Sequence, residues 1–211
     1  MNKQNQNGSA FVAMIIIVVI AFIGMLGFIL WQNFLKPKPA TETSQTNKTT
    51  TSAVDPYKDW KTYTSTANNY QIKYPSTWLV VPETSTDGPY IRNFDPATTN
   101  GGYPPGYMNV RILKYMDDSN FNNFSGSTTT EWYSQLGETD LSMGPVTYKS
   151  DTVEAYMVND IAAKKTISSY DETNEVIFIL KDGSLYEISL YPVDATNDTT
   201  VQKILSSFTF L

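Results

Sequence analysis

The sequence predicts an α+β protein: one apolar helix near the N-terminus, then an antiparallel β-sheet covered by helices. Three observations carry this. Ala10 to Trp31 is an unbroken apolar run. From Trp60 onward, short alternating apolar runs recur between turn-forming clusters. Near the C-terminus, Val201, Ile204, Leu205 and Phe208 have the spacing of one helix face.

The apolar run reads AFVAMIIIVVIAFIGMLGFILW and carries no charge. Its 22 residues, at about 1.5 Å each, span about 33 Å, enough for a hydrocarbon core of about 30 Å. Fourteen of them are Ile, Leu, Val or Phe, which together favour insertion by about 4 to 8 kcal/mol. A buried core helix would carry a polar stripe, and this segment has none. A cleaved signal peptide would be shorter and followed by a small-x-small site. Here Gln32-Asn33-Phe34-Leu35-Lys36-Pro37 follows. Residues 10–31 are therefore expected to be an uncleaved, single-pass signal-anchor behind a polar tail, residues 1–9. The charge count (Lys3 before, Lys36 and Lys38 after) slightly favours the reverse orientation. Long domains, however, are translocated largely regardless of it. The expected topology puts the N-terminus inside and the C-terminal domain on the extracytoplasmic side of the cell membrane. Gly24 and Gly27 have GxxG rather than GxxxG spacing, so they do not predict helix pairing.

Gly8-Ser9-Ala10-Phe11 is similar to the processing site of type IV pilins, and a pilin-like assembly subunit is one alternative. Pilins usually carry Glu where this chain has Ala13.

Residues 32–55 are expected to form a linker. From 37 to 55 it reads PKPATETSQTNKTTTSAVD. Such a Thr/Ser-rich stretch buries too little apolar surface to offset its ordering entropy, and it reads as a stalk. Asn47, Asn123 and Asn197 each open an N-x-S/T sequence, a pattern expected by chance in a chain this rich in Asn, Ser and Thr.

Residues 56–211 are long enough for one domain with its own core. They hold 11 Lys and Arg against 19 Asp and Glu, a net charge of −8. An acidic domain argues against nucleic acid or anionic lipid as a partner. The chain has no cysteine, so packing alone must hold the domain, with its 14 Tyr and 3 Trp contributing much of the area.

Trp60–Tyr63 and Tyr70–Tyr74 predict a hairpin with Tyr70, Ile72 and Tyr74 on one face. Pro75 ends the second strand. Trp78–Val81, Tyr90–Phe94 and Tyr107–Tyr115 predict further strands. Asp117–Ser127 reads as a polar loop. Thr128-Thr129-Thr130-Glu131 has capping-box spacing and predicts a helix over 129–137. Val146–Lys149, Val153–Val158, Ala162–Tyr170, Glu175–Lys181 and Leu185–Tyr191 read as successive strands. Lys181-Asp182-Gly183-Ser184 is a hairpin turn. Thr196-Asn197-Asp198 offers caps for the last helix.

Three segments carry a family resemblance. Tyr70-Gln71-Ile72-Lys73-Tyr74-Pro75-Ser76-Thr77-Trp78 resembles the opening signature of PsbP-like domains, a strand ending in Tyr-Pro with a Trp soon after. The hairpin from Lys181 to Ile188, and the tail Lys203-Ile204-Leu205-Ser206-Ser207-Phe208-Thr209-Phe210, are also similar to that family. The resemblance spans residues 57–211. It implies an α/β/α sandwich around a central antiparallel sheet, and it carries no functional residue onto this chain. Its known members include extrinsic subunits of the oxygen-evolving photosystem, but a membrane stalk argues against a photosynthetic role here.

Histidine and cysteine are both absent. This removes His-based triads, HExxH zinc sites and thiol chemistry. No Walker A loop or GxGxxG is present. Asp117-Asp118-Ser119-Asn120 and Asp194-Ala195-Thr196-Asn197-Asp198 offer oxygen ligands that suit calcium. Neither has an EF-hand register, and such clusters commonly serve as turns and caps. Gly101-Gly102-Tyr103-Pro104-Pro105-Gly106-Tyr107 is a loop whose aromatics could stack on a ligand or pack locally. No catalytic, cofactor-binding or metal-binding residue is assigned. The expected function is a membrane-anchored, non-enzymatic accessory or binding module of the cell envelope. It would act on another envelope protein or a ligand. An envelope hydrolase using paired carboxylates is the other alternative.

Overall fold

The computed structural model describes residues 55–84, 88–99, 103–168 and 174–211. The signal-anchor expected at 10–31 and most of the expected linker lie outside these residues. Among the described residues, no helix is long and apolar enough to cross a membrane.

Among the described residues, twelve strands and three α-helices follow one another. Strands β1 (Trp60–Ser65) and β2 (Tyr70–Pro75) form a hairpin, followed by β3 (Leu79–Val81), β4 (Tyr90–Arg92) and β5 (Asn109–Tyr115). Helices α1 (Ser119–Ser125) and α2 (Thr129–Gln135) precede a small hairpin, β6 (Leu141–Met143) and β7 (Val146–Tyr148). Then come β8 (Glu154–Val158), β9 (Ile161–Ile167), β10 (Glu175–Lys181) and β11 (Ser184–Tyr191). Helix α3 (Thr199–Ser206) and the short strand β12 (Thr209–Phe210) close the chain.

Seven strands form one sheet in the order β3-β4-β5-β11-β10-β9-β8, and every neighbouring pair is antiparallel. The central hairpin turns on Asp182 and Gly183, with φ of 50° and 73°. Positive φ at both central residues is what a two-residue type I′ turn requires. That turn pairs Lys181 with Ser184 and fixes the register of β10 on β11.

Register then sorts residues by parity. Ile177, Ile179, Tyr186, Ile188, Val110 and Ile112 share one face and pack with Tyr70 and Ile72 of β2. Val201, Ile204, Leu205 and Phe208 cover the same core. This cover is therefore part helix and part sheet, because β1, β2 and β12 form a second, three-stranded sheet. It is not the purely helical layer of an α/β/α sandwich. The opposite face carries Val176, Phe178 and Leu185 under Phe121, Trp132, Leu136, Met143 and Tyr148. Trp132 and Phe178 meet edge-on at 5.0 Å, the geometry that ring quadrupoles favour.

The caps follow the sequence. Thr128 and Glu131 form the expected capping box at the start of α2. Lys164 closes the other end, its Nζ donating to the carbonyls of Tyr133 at 2.8 Å and Leu136 at 2.6 Å. A lysine there satisfies orphan helix carbonyls and opposes the negative end of the dipole. One expectation needs correction. Asp117–Ser127 is not a loop throughout but contains α1, capped by Asp118 and closed by Gly126 at φ 77°. The strand expected from Val146 forms β7, and its hairpin partner β6, at Leu141–Met143, is a strand the sequence pattern does not predict.

Gly88 lets the chain approach the sheet. A Cβ at that position would collide with the backbone carbonyl of Ile112. Gly88→Ala is expected to cost about 1–3 kcal/mol as overpacking. Phe178→Ala should cost about 3–5 kcal/mol as a core cavity. Urea denaturation with an unchanged m-value checks both. A Phe178→Ala loss below about 1 kcal/mol would contradict the packed second face.

Candidate functional site

The helix-covered face is not apolar throughout. Arg111 pairs with Ser189, Ser189 with Val176 and Val176 with Thr166, one row across four strands. The next row runs Leu113, Glu187, Phe178 and Lys164. A pocket of about 240 Å³ opens over these rows, lined by Arg111, Tyr115, Tyr148, Glu187 and Ser189 together with Met143 from the β6–β7 hairpin.

Glu187 is only 6 % exposed. Its carboxylate accepts from the Tyr115 hydroxyl at 2.9 Å and from the Ser189 hydroxyl at 2.6 Å. None of the ion pairs among the described residues involves it. A buried carboxylate held only by neutral donors keeps a strong demand for positive charge. Burial, and then the charge of Glu187, push the Tyr115 and Tyr148 hydroxyls well above the usual tyrosine range. The Arg111 charge works in the opposite direction on both. Arg111, Tyr115, Tyr148, Glu187 and Ser189 thus bring ionisable and hydroxylic groups to one cavity.

Beyond the pocket, the same face continues toward the β4 edge, again by register. Arg92 pairs with Asn109, and Asn109 with Tyr191. Phe94, Tyr103, Tyr107 and Tyr191 form an aromatic patch there. Tyr103 stacks on Tyr107 at 4.5 Å, Phe94 meets Tyr107 edge-on at 4.3 Å, and Tyr191 leans on Tyr107 at 4.6 Å. The Arg92 guanidinium lies 5.3 Å from the Tyr90 ring and 5.7 Å from Phe94, within cation–π range. Arg92 Nε and Asn109 Oδ1 are buried without a hydrogen-bond partner among the described residues. Tyr103 remains 67 % exposed. Of the aromatic loop predicted at 101–107, the described residues begin at Tyr103. Tyr107 packs locally, while Tyr103 presents a ring to solvent.

The two acidic clusters do not meet each other or the pocket's charged pair. Asp118 Oδ1 accepts from the backbone N–H of Asn120 and Phe121, each at 3.0 Å. Asp198 Oδ1 accepts from Thr200 at 2.7 Å and Val201 at 3.0 Å. Both are helix N-caps, and among the described residues no cluster of three acidic side chains has metal-binding geometry. Sequence reasoning missed Arg111, Tyr115, Tyr148 and Glu187. Parity alone did not mark them: Glu187 and Ser189 alternate with Tyr186, Ile188 and Leu190, the pattern of a strand with one solvent face.

No family model matches the chain, and no curated protein matches it. Solved structures do align. A crystal structure from Bacteroides thetaiotaomicron is 10% identical, with a TM-score of 0.45 over 72% of this chain. The chain covers 49% of that protein, about half its length. The solution structure of cyanobacterial PsbP (CyanoP) from Synechocystis is 13% identical, with a TM-score of 0.39. It is aligned over 82% of this chain and all of its own. Both scores are below 0.5, so the fold described above stands on its own strand order and register.

The pH behaviour of the patch follows from its packing. Burial, and then Tyr103, push the Tyr107 hydroxyl up to about 12. Its folded pKa lies above the unfolded value of about 10. The stability it contributes is thus fully present below about pH 10 and is lost as pH rises through about 12. The ultraviolet difference titration between wild type and Tyr107→Phe should show one phenol ionising near 12. Ionisation near 10 would contradict the packed geometry.

Proposed function

We propose that this protein is a membrane-anchored, extracytoplasmic binding module of the cell envelope with a PsbP-like domain, and that it is not an enzyme. The observation that carries the reading is the continuous polar and aromatic surface on one sheet face. It runs from the Glu187 pocket to the exposed ring of Tyr103. Exposed aromatics and arginine beside a pocket have the composition of binding hot spots. The absence of His and Cys from the whole sequence removes the commonest general bases and nucleophiles. The apolar run at 10–31 and the Thr/Ser-rich linker support a domain held off the outer surface of the membrane. The net charge of −8 on residues 56–211 supports a partner other than nucleic acid.

Crosslinking of the full-length protein in its own membranes tests the reading, with the isolated anchor (residues 1–55) as control. A discrete adduct should form only when the domain is present. An Arg92→Ala/Tyr103→Ala variant should weaken it by about tenfold, the scale of one modest hot spot. An adduct formed equally by residues 1–55, or none at all, would contradict the proposal.

A further inference from the structure

We propose that the pocket between β5, β11 and the β6–β7 hairpin binds a small zwitterion of the amino-acid class, with Glu187 taking the ammonium group and Arg111 the carboxylate. The inference deepens the binding-module reading and rests on it.

Three features carry it. The first is the state of Glu187. Its two oxygens each accept one hydrogen bond, from Tyr115 and Ser189. A carboxylate offers about four lone-pair sites, so each oxygen can accept once more. The donors in place are neutral, and no described ion pair balances the charge. An ammonium group supplies three donors and the missing positive charge together.

The second is the position of Arg111 on the same wall. It lies one register row from Glu187, opposite Ser189. A guanidinium presents five N–H donors in a fork that matches a carboxylate. It can therefore engage a ligand while keeping interactions it already makes. An acid and a base on one pocket wall select a molecule carrying both opposite charges and disfavour a simple anion or cation.

The third is size. About 240 Å³ lies below the range of about 300–1,000 Å³ typical of drug-sized ligands. It equals about eight water volumes at about 30 Å³ each, which suits a molecule of roughly eight non-hydrogen atoms, the size of valine. Met143 and Val146 add apolar surface beside the charged wall, so the pocket also has a place for an aliphatic side chain.

The test is isothermal titration of the full-length protein in detergent with L-valine, N-acetyl-L-valine and L-valinamide, alongside thermal melts. L-valine is expected to bind and to raise the melting temperature. Each blocked analogue should bind at least about tenfold more weakly, because each loses one charge-assisted contact. Glu187→Gln should abolish the preference for valine over N-acetylvaline. Arg111→Met should abolish the preference over valinamide. If either variant fails to fold by circular dichroism, the blocked ligands on wild type decide. Either analogue binding as tightly as valine overturns the proposal, and so does a folded protein that binds none of the three. The crosslinking experiment separates the two readings. An intact adduct without valine binding refutes the zwitterion site alone.

Discussion

The register of the β10–β11 hairpin is the constraint on which everything else depends. Strand periodicity is two, so a one-residue slip would exchange the faces of β11. Ile188 and Leu190 would turn toward the helices, and Glu187 and Ser189 would enter an aliphatic core. Burying a carboxylate there without donors would cost far more than the few kcal/mol by which domains are stable. The Asp182-Gly183 turn therefore does more than reverse the chain. It sets which face is the core and which is the site, and β5 inherits the choice through its pairing with β11.

The two faces are built differently. One is sealed by α3 and the three-stranded sheet around a mainly apolar core, with the buried Glu175 at its end held by Thr196 and Lys165. The other is sealed only in part, by Trp132, Phe121 and the β6–β7 hairpin near the Asp182-Gly183 end. Toward the β4 edge, Arg92, Arg111 and the tyrosines take over. An acidic domain whose two arginines, Arg92 and Arg111, share one sheet face places positive charge there, against the sign of the whole.

Much of the fold was legible in the sequence. Tyr70 and Ile72 alternated, and both are buried. The Lys181–Ser184 turn, the Thr128–Glu131 box and the apolar stripe of α3 were each read from local chemistry that tertiary packing reinforced. Helix α1 was not, because Ser, Asn and Phe are weak helix formers. Only the Asp118 cap and the burial of Phe121 make it a helix. The site was illegible for a related reason. Polar residues alternating on a strand look like a solvent face. Nothing local says that a helix pair and a distant hairpin will cover Glu187. The acidic clusters were conspicuous because caps are local, and Asp118 and Asp198 are N-caps.

The chain has no cysteine, so a designed disulfide can read the register directly. Val176 and Ser189 are register partners, and directly opposed Cα atoms lie about 4.5–5.5 Å apart, within the span of a disulfide. The Val176→Cys/Ser189→Cys protein should crosslink fully on mild oxidation. The Ile177→Cys/Ser189→Cys protein should not, because those side chains leave opposite faces of the sheet. Efficient closure of the second pair would show a register shifted by one residue. The division into an aliphatic core and a charged pocket would then be wrong.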